Sequence, residues 1–365
     1  MITCILVGGF LGAGKTTALL RLGEHFAAQG RRVAIVTNDQ GVDLVDTRVA
    51  SWGGNAVAEV TGGCFCCRFD SLVDAVERLV REVKPDIVLA EPVGSCTDVR
   101  ATVQHPLARF HGHRVHVAPL SVLVDPIRAA AALGLSDGAA FSADVTYIYG
   151  KQLEEADIIV VNKCDLLAEP QRARIAETLA ARFPAARVLV LSARTGEGVD
   201  EWIDALSRPA GPTVPVDVDY DRYAHGEALL GWLNGRWWIA GDTPFDGNAL
   251  VRRLVARVQK ALRAADVAIA HIKASVRSHD GDGLAVVNAV DEVRPPEMAR
   301  RLAGPLTAGE LVLNLRAEAD PVGLAAVVVD AVRAAARQAG VVARLDHQEQ
   351  FRPGRPVPTH RLGSP

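Results

Sequence analysis

Apolar residues in the first 206 positions fall into short runs, with stretches of helical periodicity between them. The runs Thr3–Val7, Arg32–Thr37, Asp86–Ala90, Val115–Val124, Asp157–Asn162 and Ala186–Leu191 read as strands. Nearly continuous apolar runs with polar or glycine borders suit strands buried on both faces. Amphipathic stretches at 15–29, 70–83, 149–156, 170–182 and 199–206 follow most of them and read as helices. Such alternation predicts an α/β fold: a mostly parallel sheet with ligands at the carboxyl ends of its strands.

The pattern changes after 208–221, RPAGPTVPVDVDYD, which holds three prolines and no helical period and reads as a linker. Beyond it the spacing predicts a helix at 247–264, strands at 267–276, 284–291 and 310–316, a helix at 320–338 and a strand at 341–346. Consecutive strands followed by a helix predict a smaller α+β domain. The expected division is a first domain over 1–207, the linker, a C-terminal domain over 222–346 and a tail over 347–365. That tail is rich in Pro and Arg and is expected to be extended or loosely held.

A chain of 365 residues is long enough for two cores, and 49% hydrophobic with 23% charged residues is ordinary for a soluble protein. A net charge of -3 argues against a nucleic-acid partner. Arg253, Arg257 and Lys260 share one side of the 247–264 helix and are expected to form a solvated face. Ile2–Val7 follows Met1 without basic residues and ends at Gly8 and Gly9, too early for a secretory signal. No apolar run reaches the roughly 18 residues of a membrane span. Of the six cysteines, Cys4 and Cys164 lie in or beside predicted strands and Cys96 stands alone, while Cys64, Cys66 and Cys67 crowd together. Neighbouring cysteines make poor disulfides but good metal ligands, so a reducing, cytoplasmic compartment is expected.

Gly9-Phe-Leu-Gly-Ala-Gly14-Lys15-Thr16 fits G-x-x-x-x-G-K-[ST] between a predicted strand and a predicted helix. Gly9, Gly12, Ala13 and Gly14 can turn their N–H groups around a phosphate, and the helix that follows adds its positive end. Lys15 is expected to reach the β- and γ-phosphates, facing solvent when the loop is empty, and the Thr16 hydroxyl to bind Mg²⁺. Thr17 completes the loop.

Asn162-Lys163-Cys164-Asp165 follows a buried run, as the N-K-x-D motif does in GTPases. The Asp165 carboxylate can accept from guanine N1–H and the 2-amino group, and adenine lacks both donors. Lys163 is expected to lie along the base, and Asn162 to tie its loop to the phosphate loop. Ser192-Ala193, after the predicted strand ending at Leu191, resembles the last guanine-contacting loop. GTP and GDP are therefore the expected nucleotides, an ATPase being the rival.

Three thiols within Thr61-Gly-Gly-Cys64-Phe65-Cys66-Cys67 can bind one soft or borderline cation, Zn²⁺ or Co²⁺, with Ni²⁺ also compatible. Three thiolates leave one coordination position open, which suits a metal that must be handed on. A structural zinc clip and a redox-active thiol cluster are the competing readings.

GGFLGAGKTT at 8–17, GGCFCC at 62–67, Glu91-Pro-Val-Gly94 and QLEEADIIVVNKCDL at 152–166, taken in that order, resemble the CobW-like GTPases. These are relatives of the nickel-insertion GTPases for hydrogenase and urease. The resemblance covers about residues 1–206. It implies that the segment from Asn38 to Asp46 is the first switch, with Asp46 near Mg²⁺. The family usually has N-E-F-G-E there; Asp39 stands for the Glu, Val42 replaces the second acidic residue, and Asp43 follows it. Glu91 is implied to hold a Mg²⁺-bound water or orient the attacking water, and Gly94 to offer its N–H to the γ-phosphate. Val93 lacks the hydroxyl common in the family. No arginine finger can be assigned, so slow hydrolysis is expected. His105, His111, His113 and His116 read as exposed loop residues.

The expected protein is a GTP-dependent metallochaperone that delivers metal to a client metalloprotein or cofactor-assembly enzyme. It is expected to bind no nucleic acid or membrane and to be a monomer or homodimer. A regulatory GTPase with purely structural zinc is the alternative.

Overall fold

The structure is a computed structural model that describes every residue except 42–44, 53–55, 136–140, 210–215, 280, 282 and 364–365, and only the backbone of Ser51 and Trp52. It contains two compact units. Met1–Gln40, Asp46–Gly226 and Arg355–Pro365 make up the first; Gly41–Val45 and Glu227–Gly354 make up the second.

Among the described residues of the first unit, eight strands form a parallel sheet. They are β1 (Ile2–Gly9), β2 (Val33–Asn38), β3 (Ala56–Val60), β4 (Ile87–Glu91), β5 (Val115–Val117), β6 (Ser121–Val124), β7 (Ile158–Val161) and β8 (Arg187–Val190). Their order is β3-β2-β4-β1-β6-β7-β8, with β5 also beside β1. β1, β4, β6 and β7 are buried along most of their length, as strands covered on both faces must be. The helices Lys15–Ala28 and Val199–Leu206 pack Leu19, Leu22, Trp202 and Leu206 against Ile5, Val7, Leu89 and Leu123.

Several predicted boundaries move. The run Val115–Val124 is two strands: Pro119 has no N–H to give the ladder, and the Leu120 N–H goes to the Asp157 carboxylate at 2.7 Å. β3 is an unpredicted edge strand, and the helix expected at 149–156 is Ala143–Glu154. The first unit runs past 207 to Gly226, because Val218 and Tyr223 bury against Ile148. The end of the expected linker is helical, as Tyr220–Leu229, and 210–215 lie outside the described residues.

Among the described residues of the second unit six strands form a sheet in the order β12-β11-β10-β13-β9-β14, antiparallel at every pairing. They are β9 (Gly231–Phe245), β10 (Ile269–Ser278), β11 (Leu284–Ala289), β12 (Glu297–Arg300), β13 (Leu306–Ala317) and β14 (Val341–Phe351). The helices Gly247–Ala264 and Pro321–Ala339 supply Leu250, Leu254, Val258, Leu324, Val328 and Val332 to one core with Leu233, Trp237, Ile272 and Leu313. Arg253, Arg257 and Lys260 are exposed on the first of these helices. β14 continues five residues past its predicted end at 346, still paired with β9.

The tail from Arg355 is extended but not loose. Within the first unit Thr359 N–H donates to Cys66 O at 2.9 Å, and Leu362 N–H to Ala101 O at 2.8 Å. Arg361 Nε donates to Asp98 Oδ2 at 2.6 Å, and the His360 ring meets Phe69 edge-on at 5.2 Å. No helix among the described residues is long and apolar enough to cross a membrane.

Candidate nucleotide and metal sites

β1 leads into a loop that only glycine can shape. A Cβ on Gly9, at φ +127°, would meet Leu123 O at 2.2 Å, and one on Gly14, at φ +91°, would meet Asn162 Nδ2 at 2.6 Å. Asn162 can then bridge three loops: its Nδ2 donates to Ala13 O at 2.9 Å, and its Oδ1 accepts from Ala193 N–H at 3.0 Å. Lys163, at φ 58°, extends over the phosphate loop. Its Nζ donates to Gly12 O at 2.6 Å and pairs with Asp125 at 2.9 Å. Asp125 also caps the helix Pro126–Ala132 through the Ile127 and Arg128 N–H groups. Arg128 donates to Leu11 O and stacks on Phe10 and Phe141, both 5.1 Å away. Neither Asp125 nor Arg128 has a sequence motif to mark it; only proximity does.

Asp165 offers one oxygen to Arg194, while its buried Oδ1 has no hydrogen-bond partner. A buried carboxylate oxygen left unmatched is costly, and it is the acceptor a guanine edge would use. Cys164 N–H reaches Leu191 O at 3.1 Å, and Ser192 Oγ accepts from Thr195 N–H at 3.2 Å, which fixes the neighbouring loop.

The Thr16 hydroxyl lies 2.8 Å from Asp46 Oδ1 and 3.0 Å from Glu91 Oε2. It has one proton and can satisfy only one carboxylate at a time. Two carboxylates and a hydroxyl beside a phosphate loop fit a hard cation such as Mg²⁺. Lys15 does not face solvent as expected: it is 6% exposed, with Nζ 3.7 Å from Glu91 Oε1. The carboxylate draws the ammonium in.

Gly94 closes against the phosphate loop, where a Cβ would lie 3.0 Å from Leu11 N. On the other side of β4, Asn38 ends β2 and holds the cysteine loop. Its Nδ2 donates to Val60 O at 2.9 Å and Gly63 O at 2.8 Å, and its Oδ1 accepts from Phe65 N–H at 2.8 Å. Of the other first-switch positions, Val42 and Asp43 lie outside the described residues.

The sulfurs of Cys64, Cys66 and Cys67 all lie within 4.8 Å of one another. Cys64 Sγ is 3.3 Å from Cys67 Sγ, and Cys66 Sγ is 3.7 Å from it. Tetrahedral Zn–S bonds of about 2.3 Å require sulfurs about 3.8 Å apart, so the spacing fits a bound zinc ion with little adjustment. None of the six cysteines is in a disulfide. Hydrogen bonds with Cys66, Cys67 and Cys96 hold the Cys64 thiol well below the ordinary thiol range. Cys66 is pushed well up, first by its bond with Cys64, and Cys67 to about 11 for the same leading reason. The cluster thus favours one thiolate and resists the next until a cation compensates. By contrast, burial alone lifts Cys4 to about 12.

Cys67 is the partly exposed member, and the tail covers it: Val357 N–H donates to its Sγ at 3.2 Å and Thr359 Oγ1 to its carbonyl at 3.3 Å. The expectation of exposed loop histidines holds only at His113: His111 is half-buried at the end of the helix His105–His111, His116 lies in β5, and His105 departs furthest. It is 4% exposed within continuous helix, with Nδ1 3.1 Å from Leu362 O, because the tail needs a partner there.

The profile described as CobW/HypB/UreG, nucleotide-binding domain, matches residues 3–190. The zinc chaperone CobW of a Sinorhizobium species is 30% identical over 190 residues, 46% of this chain and 52% of that protein. The zinc chaperone YeiR of Escherichia coli K12 is 30% identical over 168 residues, 44% of this chain and 46% of that protein. The chain spans about half the length of these curated relatives. Among solved structures, the hydrogenase maturation factor HypB from Archaeoglobus fulgidus aligns at 19% identity and TM-score 0.40, over 56% of this chain and 87% of that one.

Proposed function

The chain belongs to the CobW/HypB/UreG family, and from that premise we propose that it is a GTP-hydrolysing metallochaperone. Its cargo would be Zn²⁺, or Co²⁺ of similar ligand preference, held by Cys64, Cys66 and Cys67 and passed to a client metalloprotein or cofactor-assembly enzyme. Lys15 and the N–H groups of Gly12 to Thr17 would bind the phosphates, Asn162, Lys163, Asp165, Ser192 and Ala193 the guanine. Thr16 and Asp46 would hold Mg²⁺, which supplies charge neutralisation at the phosphates. Glu91 would orient the attacking water and Gly94 would contact the γ-phosphate; with no arginine finger assigned, turnover would be slow. Free thiols require a reducing compartment, so we place the protein in the cytoplasm.

The observation that carries this reading is Asn38. One side chain closes the cysteine loop from the end of β2, at the start of the first switch. A metal clip with no link to the nucleotide would not need that placement. Linkage requires that GTP change metal affinity by the factor by which metal changes GTP affinity, a useful value being about 1–3 kcal/mol. Zinc titrations in GDP and in a non-hydrolysable GTP analogue measure it. Affinities that differ roughly 5- to 150-fold between states are expected. Cys66→Ser should remove most binding in both states. Equal affinity in both states would leave a GTPase with structural zinc.

A further inference from the structure

Residues 355–362 lie across the cysteine cluster. Cys64 and Cys66 are buried, and of the three cysteines only Cys67 is partly exposed. An ion entering or leaving the three sulfurs would therefore pass on the Cys67 side, and that is the side the segment crosses. Val357 N–H donates to Cys67 Sγ at 3.2 Å, Thr359 N–H to Cys66 O at 2.9 Å and Thr359 Oγ1 to Cys67 O at 3.3 Å. The local sequence suits that contact. Pro356 and Pro358 flank Val357, so its N–H is the one backbone donor in Pro356-Val357-Pro358. Their rings fix φ and keep the segment extended, which lowers the cost of ordering it. The Val357 side chain is 70% exposed, so its backbone and not its packing makes the contact.

Beyond the cluster the segment is latched. Arg361 donates from Nε to Asp98 Oδ2 at 2.6 Å and from Nη2 to Val216 O at 2.9 Å, and Leu362 N–H donates to Ala101 O at 2.8 Å. Asp98 is buried, and its Oδ2 also accepts from Tyr220 Oη at 2.7 Å, so it is held in place independently of Arg361. The segment itself is shallow: Arg361 is exposed, and Pro356 is the one buried residue among 355–363. Few buried contacts and exposed hydrogen bonds mark a segment that opens locally without unfolding the rest. We propose that residues 355–362 are a strap that closes over Cys67 and must lift for metal to leave, with the Arg361–Asp98 pair as its latch. This rests on the metallochaperone reading above. A sulfur carrying negative charge is the stronger acceptor for the Val357 N–H, so the strap closes more firmly on thiolates than on thiols. Metal is then retained until the strap is displaced.

The test compares the reduced full chain with Val357→Pro, Val357→Ala and Arg361→Ala. One readout is dissociation-limited release of Zn²⁺ to excess chromogenic chelator. The other is alkylation of metal-free Cys67 over a range of pH, which separates access from thiolate fraction. Val357→Pro deletes one N–H and should speed both by about two- to tenfold, the worth of one hydrogen bond. Val357→Ala keeps the N–H and should match wild type. Arg361→Ala removes a charged bond to a buried carboxylate and should speed both by roughly tenfold or more. Circular dichroism checks that each variant folds. Wild-type rates of both processes in Val357→Pro and Arg361→Ala would overturn the strap. Faster alkylation with unchanged zinc release would overturn its control of the metal. Failure of the wild-type chain to hold zinc would overturn the metallochaperone reading, and the alkylation rates would still decide whether the strap covers Cys67.

Discussion

Asn38→Ala is the substitution whose cost the geometry defines best. It deletes three hydrogen bonds, and they are not equivalent. Val60 O keeps the Asp39 N–H at 3.2 Å, so its loss matters little. Gly63 O is partly buried and can recover water, at about 1 kcal/mol. The Phe65 N–H is the expensive one. It is buried beneath a ring only 1% exposed, and leaving it unmatched costs about 1–3 kcal/mol. The closed cysteine loop should therefore lose about 2–4 kcal/mol, a shift of roughly 30- to 800-fold toward open forms. Amide exchange across 61–68 reads the opening directly, and zinc titration reads its consequence. Asn38→Asp sharpens the test: it restores the acceptor for Phe65 but aims a carboxylate at two carbonyl oxygens. It should be no better than alanine near neutral pH and should partly recover once protonated. Exchange at Phe65 within about threefold of wild type, with unchanged zinc affinity, would refute the claim that Asn38 holds the loop.

Asp165→Asn should weaken GTP binding by about a hundredfold or more and favour xanthine nucleotides, as read by competition titration; an unchanged preference would remove the guanine assignment. Lys15→Ala should abolish GTP turnover and, because the ammonium neutralises buried Glu91, also lower stability by about 1–3 kcal/mol in urea unfolding. Glu155 is raised to about 8, mainly by burial, from an ordinary value of 4.5. The folded state therefore binds its proton more tightly, and this group's contribution to stability falls as pH rises from about 4.5 through about 8. Glu155→Gln should flatten that fall by a few kcal/mol (order of magnitude) in unfolding midpoints across the window. Removing residues 355–365 should speed alkylation of Cys67, whose Sγ the Val357 N–H covers; an unchanged rate would show that the tail does not shield it.

What the chain reveals by local spacing, it reveals well. The phosphate loop, N-K-C-D and the cysteine triplet each need their residues within a few positions, so the chemistry is written contiguously. The strand–helix alternation is legible for the same reason, since burial on both faces leaves continuous apolar runs. β9 is not legible, because Asn234-Gly235 in its middle has the composition of a turn. In the structure Asn234 is fully buried, held by Asn314 at 2.9 Å and Arg316 at 2.8 Å, and a Cβ on Gly235 would strike the Trp237 ring at 2.1 Å. The tail is extended as expected, but its anchoring is not legible, because its prolines and arginines signal an unanchored segment. Its anchors combine backbone N–H groups with the Arg361 and His360 side chains, and their partners at Cys66, Ala101, Asp98 and Phe69 are too distant in sequence for composition to report.

Asn38 bears on how a nucleotide could govern a metal. A three-residue motif on one loop can bind an ion, but by itself it has no reason to respond to a phosphate elsewhere. Response needs part of the site to belong to an element that the phosphate moves. On the proposed function Asn38 would supply this from the end of β2, and β2 and β4 are neighbours paired from Val33–Ile87 to Thr37–Glu91. Because these strands are hydrogen-bonded in register, their ends cannot shift independently without breaking the ladder. On that reading a displacement at Gly94, just past the end of β4, would reach the cysteine loop through Asn38.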